Sequence, residues 1–211
     1  ATVHFPIWHQ EIEDILVLKN NKGTEDNRVR KLDYSIQITK LFYERFIKNA
    51  EISLFSPNNV PGLYEAFGMP EFDSLYLKYE KDKSVPRSTV GAQELFMDLL
   101  KERAETGRIY IMNLDHCNTH SSFKDKIYMS NLCQEITLPT TPVQHIDDKE
   151  GEIALCILSA INLGLLSDMD ELEELCDLSV RALDEIIDYQ EYPVEAAKIS
   201  TQARRSLGIG Y

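Results

Sequence analysis

A helix, a glycine and a strand follow one another without a gap near the middle of the chain. Ala92 to Thr106 carries Leu95, Phe96, Leu99 and Leu100 at helical spacing, Gly107 supplies the stop, and Arg108-Ile-Tyr-Ile-Met-Asn113 reads as a strand. A helix that ends on glycine and runs straight into an apolar strand is the rhythm of an α/β fold, in which helices cover a sheet. With 211 residues, 43% of them hydrophobic and 27% charged, the chain is long and apolar enough for one domain with its own core.

The flanking segments fit that rhythm. Thr2 to Phe5 reads as extended, and Pro6 is expected to open a helix that buries Ile7, Trp8, Ile12, Ile15 and Leu16. Asn20 to Arg30 is a polar loop. A second helix is expected from about Leu32 to Asn49, with Ile36, Leu41, Phe42, Phe46 and Ile47 as its buried side. Ile52 to Pro57 is a short strand, followed by a turn, short helices near Gly62–Phe67 and Glu71–Glu80, and a charged linker from Lys81 to Ser88. Ile153 to Gly164 is strongly apolar, and periodicity does not separate a buried strand from a buried helix there. Asp168 is the expected N-cap of a long amphipathic helix reaching about Tyr189, with Leu172, Leu175, Leu178, Ala182, Leu183 and Ile186 on its apolar side and Cys176 beside them as inert core. A further helix spans Pro193 to Ser206, and Leu207 to Tyr211 begins a strand.

Charge narrows the partners. Acidic residues outnumber basic ones 35 to 22, for a net charge of −13, and no basic stripe offers a nucleic-acid surface. The acidity reads as a solvated surface. No apolar run is long enough to span a bilayer, and the N-terminus is not a signal peptide. Cys117, Cys133, Cys156 and Cys176 are widely spaced, which argues for a reducing compartment, the cytoplasm, and against a structural disulfide framework. His116, Cys117 and His120 invite a zinc reading. A structural zinc site needs four ligands, normally with a Cys-x-x-Cys knuckle, and none is present, so no metal is expected.

The chemistry-bearing stretch is Ser130-Asn-Leu-Cys-Gln-Glu-Ile136. In an extended backbone, positions i, i+2 and i+4 face one side, so Asn131, Cys133 and Glu135 would converge on one substrate while Leu132 and Gln134 face away. A helix would carry Cys133 roughly 200° round from Asn131. Ile136 and Thr137 are β-branched and Pro139 and Pro142 discourage a helix downstream, so the extended form is expected. A thiol exchanges a hydrogen atom, a carboxylate takes a proton, and an amide holds a hydroxyl. The plain alternative is an edge strand with a buried cysteine and a solvated glutamate.

Asn131-Leu-Cys-Gln-Glu-Ile-Thr-Leu-Pro139 resembles the finger-loop motif of the class I ribonucleotide reductase large subunit. The similarity continues through Thr2-Val-His-Phe-Pro-Ile-Trp-His9, Ile109-Tyr-Ile-Met-Asn113 and Arg204-Arg-Ser-Leu-Gly-Ile-Gly210, and is strongest to bacterial and bacteriophage members. The resemblance implies that residues 1–211 form a single internal segment of the catalytic barrel domain, a helix-rich part of a ten-stranded α/β barrel with the finger loop inside it. It implies that Cys133 becomes a thiyl radical that abstracts the ribose 3′ hydrogen, that Glu135 is the general base, and that Asn131 orients the ribose hydroxyls. Leu132 and Gln134 would complete the substrate contacts. Cys156 would be one of the two cysteines that reduce the 2′ position, although by itself it reads as a core cysteine in an apolar strand. The resemblance also implies a ribonucleoside diphosphate substrate, a homodimer of large subunits, the remaining parts of that subunit, and a metal-containing small subunit that supplies the radical. A thioredoxin- or glutaredoxin-type reductant would regenerate the thiols, and nucleotide effectors would bind elsewhere in the subunit. No cofactor is expected on this segment. The competing reading is a non-catalytic scaffold of the same fold that needs complementing chains.

Overall fold

Burial on both faces of one strand organises the first half of the chain. A computed structural model describes residues 2–211, which divide into two compact units, one ending at Tyr128 and the other spanning Met129–Tyr211. In the first unit, β1 (Thr2–Pro6), β2 (Asp33–Ile38) and β5 (Ile109–Asn113) form a parallel sheet with β2 in the centre. Tyr34 to Ile38 are all buried, so β2 shows no alternation of apolar and polar residues, as expected of a parallel strand covered on both sides. This corrects the expected helix from Leu32: the helix α2 (Lys40–Ile47) begins only after Thr39, and Ile36 lies in the strand. Ile47, expected in the core, is 78% exposed.

A similar shift affects the first helix. Pro6 ends β1 rather than opening a helix, and α1 is the short segment Ile12–Leu16. The expected apolar set still holds, because Ile7, Trp8, Ile12, Ile15 and Leu16 are all buried. β3 (Glu51–Leu54) pairs antiparallel with β4 (Ser88–Gly91), a strand that begins where the expected linker ends. Between them lie α3 (Leu63–Ala66) and α4 (Phe72–Lys81). Tyr76 on α4 closes on β3 through its hydroxyl, which accepts from the Ser53 amide at 2.8 Å and donates to the Ser53 carbonyl at 2.7 Å. α5 spans Ala92–Thr106 as expected and ends on Gly107 with φ +64, a left-handed conformation that glycine adopts without a Cβ clash.

The second unit is thinner. Its strands β6 (Ile157–Ala160) and β7 (Leu207–Gly210) pair in parallel, joined by α7 (Met169–Tyr189) and α8 (Glu195–Arg204). Ile157, Leu183 and Ile187 form its small core. Asp168 caps α7 as expected, its carboxylate accepting from the Glu171 amide at 2.9 Å, while the Glu171 carboxylate accepts from the Ser167 amide at 2.7 Å. Leu178, Ile186 and Cys176 are exposed, which corrects the wider apolar stripe and the inert-core reading of Cys176. Among the described residues the strands form sheets of three, two and two, and none closes into a barrel. The fold class is mixed α/β.

The central position of β2 yields a stability prediction. Ile36→Ala, at a fully buried site, should cost about 2–5 kcal/mol in urea unfolding of the chain. Ile47→Ala should stay within about 0.5 kcal/mol. Equal effects of the two would contradict the strand assignment.

Candidate active site

The loop that carries the candidate residues is closed by one side chain. Asn131 Oδ1 accepts from the Ile136 amide at 3.1 Å, and the Gln134 amide donates to the Asn131 carbonyl at 3.3 Å. The segment is therefore a tight turn. It is non-helical, as expected, but it is not the extended strand that simple alternation predicted. The reason is local: an asparagine side chain offers the backbone an alternative acceptor and favours turns over ladders. Gln134 adopts φ +63, a left-handed backbone that costs a non-glycine residue roughly 1–2 kcal/mol and lets the chain reverse at the tip. Asn131 is buried, whereas Leu132, Cys133 and Glu135 are exposed and Gln134 is half-buried.

Cys156 enters the same site from another segment. It sits immediately before β6, which is held by pairing of Ile157 with Leu207 and by packing of Ile157 with Leu183 and Ile187. The approach of the chain to that strand is fixed by an antiparallel bridge between Thr141 and Glu152, with amide–carbonyl distances of 3.3 and 3.0 Å. Arg204 on α8 adds an ion pair to Glu152 at 2.8 Å, with both side chains mostly buried.

Electrostatics tie the four residues together. Burial pushes the Cys156 thiol above its ordinary value of 9.0. The nearby Glu135 carboxylate and Cys133 reinforce that shift, and the Asn131 amide opposes it. Glu135 is held below its ordinary value of 4.5: desolvation acts against this, and bonds from its own backbone amide, Asn131 and Cys156 outweigh it. The set combines a solvent-accessible thiol, a carboxylate kept ionised at neutral pH, a second thiol kept protonated, and an amide that acts on both. Such a set can move a proton and a hydrogen atom at one point of a bound molecule.

The family model described as "Ribonucleotide reductase, barrel domain" matches residues 1–211. The chain belongs to this family. The ribonucleoside-diphosphate reductase subunit alpha of Haemophilus influenzae is 61% identical over 215 residues, and ribonucleoside-diphosphate reductase 1 subunit alpha of Escherichia coli is 57% identical. The subunit alpha of Enterobacteria phage T4 is 45% identical over 218 residues. Each comparison covers 100% of this chain and 28% of the relative, so the chain spans little more than a quarter of those proteins.

Other sequence candidates fall outside this cluster of the reductase barrel-domain chain. His116, Cys117 and His120 lie on α6 (Leu114–Thr119) and its cap, where His120 Nδ1 is 3.1 Å from the His116 carbonyl. Cys117 packs against the core of the first unit, and burial raises its thiol. Among the described residues no three His, Cys, Asp or Glu side chains are grouped to hold a metal ion. Tyr128 stacks near Tyr64 at 6.5 Å between ring centroids and lies under the Lys126 ammonium, a packing role. Ser130 is the residue whose part in the site composition and spacing did not reveal. A serine beside an asparagine at the start of a turn was the available signal.

The raised Cys156 thiol should appear in its alkylation. Followed by peptide mass spectrometry, its pH–reactivity midpoint should lie above 9.0. Glu135→Gln removes a charge that favours the protonated thiol, so the midpoint should fall. A midpoint that rises or stays fixed in Glu135→Gln would separate the two residues.

Proposed function

We propose that this chain is the catalytic segment of a ribonucleoside-diphosphate reductase, with Asn131, Cys133, Glu135 and Cys156 as its site and Leu132 and Gln134 as further substrate contacts. The reading is supported by one observation above all: Cys156, from a separate segment, and Glu135 act on each other's protonation, and Asn131 acts on both. Family membership across residues 1–211 supplies the reaction class.

The residues divide the work by their chemistry. Cys133, once oxidised to a thiyl radical, takes the 3′ hydrogen atom of the ribose; an S–H bond forms and a carbon radical remains. Glu135 is ionised at neutral pH and accepts the 3′-hydroxyl proton. Cys156 remains protonated near neutrality, so its thiol can protonate the departing 2′ hydroxyl, which leaves as water. Cys156 and a second thiol from elsewhere in the subunit together give two electrons and two protons and finish as a disulfide. The 3′ hydrogen then returns from Cys133, and the net change is one ribonucleotide and two thiols to one deoxyribonucleotide, one disulfide and water. Asn131 orients the ribose without adding charge.

In the complete subunit, the turn at 130–136 would be the finger loop of a ten-stranded α/β barrel to which these sheets contribute. The partners in this reading are the rest of the large subunit, a second copy of it, a small subunit whose metal centre generates the radical, and a thioredoxin- or glutaredoxin-type reductant in the cytoplasm. Nucleotide effectors would bind outside this segment.

Two experiments test the proposal. In the full-length subunit with its radical-generating partner, Cys133→Ser should abolish 3′-hydrogen exchange, because a hydroxyl hydrogen is far harder to abstract than a thiol hydrogen. Cys156→Ser should retain exchange but release free base, and Glu135→Gln should be slowed without either signature. Exchange in Cys133→Ser, or normal deoxynucleotide from Cys156→Ser without external thiols, would overturn these roles. The isolated chain should be inactive and self-associating, since its short sheets have unpaired edges and Leu158, Leu163, Leu165 and Met169 are exposed. Turnover by the isolated chain with only a small subunit and reductant would contradict this.

A further inference from the structure

The Asn131 amide is oriented by its neighbours. The Ile136 backbone N–H can only donate, so its 3.1 Å contact identifies the accepting end as Oδ1. Nδ2 then faces the opposite way. It belongs to a residue only 4% exposed, and the groups the Asn131 side chain acts on are Glu135 and the Cys156 thiol. The two N–H groups of the amide nitrogen can only donate, so a further group held by it must offer a lone pair.

Ser130 supplies a second hold on the same amide. Its hydroxyl lies 3.1 Å from Asn131 Oδ1 and 2.6 Å from the Ile136 carbonyl. A hydroxyl carries one proton, so these two acceptors share it, with the shorter contact taking the larger part. Ser130 is itself 8% exposed, so water does not readily replace it. The hydroxyl therefore joins the two ends of the turn and abuts the oxygen end of Asn131.

We propose that Ser130 is a positioning residue: with the Ile136 amide it fixes Asn131 so that the amide nitrogen alone faces the ligand, and Asn131 acts on the ribose as a hydrogen-bond donor only. This narrows the expected role of Asn131, whose amide in isolation both donates and accepts. It also predicts that the group held by Asn131 is a hydroxyl oxygen offering a lone pair. The inference rests on the reductase reading of the site.

The test uses the full-length subunit and measures both Kd for a ribonucleoside diphosphate and kcat/KM. Ser130→Ala should weaken each by about tenfold, the loss of roughly one hydrogen bond's worth of orientation. Ser130→Thr, which keeps the hydroxyl, should stay within about threefold of the parent. In an Asn131→Ala background, Ser130→Ala should change the Kd by less than about twofold, because a residue that acts through another has no effect once that other is gone. Equal losses in both backgrounds would show a merely structural role and overturn the proposal, as would a Ser130→Ala enzyme equal to the parent. If Ser130→Ala does not assemble, Ser130→Cys, nearly isosteric and a weak donor, is read in the same cycle. Failure of the reductase reading is distinct: it would appear as no ribonucleotide binding by the parent, or as turnover by Cys133→Ser.

Discussion

The candidate site depends on a single hydrogen bond between a side chain and the backbone five residues on. The Ile136 amide donates to Asn131 Oδ1, and with it the chain between them is obliged to reverse. The left-handed Gln134 is the backbone cost of that reversal, borne at the tip where no neighbouring strand needs the residue. Exposure of Cys133 and burial of Asn131 follow from the same geometry. A thiol at the outside of a tight turn is accessible, while the residue that closes the turn lies inside it.

The other half of the site has a different physical basis. Cys156 is placed by tertiary packing: its strand is fixed by Ile157 against Leu183 and Ile187, and the preceding segment by the Arg204–Glu152 ion pair. That core is small, so the capping of α7 by Asp168 and the tie between Arg205 and Asp184 at 2.7 Å matter more than they would in a thick domain. The two halves meet through charge and dipole. Glu135 raises the Cys156 thiol while Cys156 helps to keep Glu135 ionised, so each residue holds the other in the protonation state opposite to its own.

Where the sequence carried its own punctuation, the elements were legible. Gly107 bounded α5 and Asp168 bounded α7, because each signal acts within one turn of helix. β2 was illegible for the opposite reason. Covered on both faces, it lacks alternation, and its Ile36 falls in step with the helical residues after Thr39. At the site, the residue types of Asn131, Cys133 and Glu135 are readable, but alternation predicts a strand for them because it ignores what an asparagine side chain does to nearby amides. The nearness of Cys156 to Glu135 has no trace in spacing at all; it exists only once β6 and β7 have paired. Family resemblance, not spacing, points to that cysteine, and only the fold shows its surroundings.

The division of labour within Asn131 has a consequence for how the protein ages. Its oxygen closes the turn, so hydrolysis of the amide to an aspartate would keep the acceptor that Ile136 needs. The turn would survive, and a structural assay would register little. The site would then hold a new carboxylate near Glu135, and two like charges in close quarters raise the proton affinity of at least one of them. Conversion at this one atom would leave the turn closed and put a further charge beside Glu135.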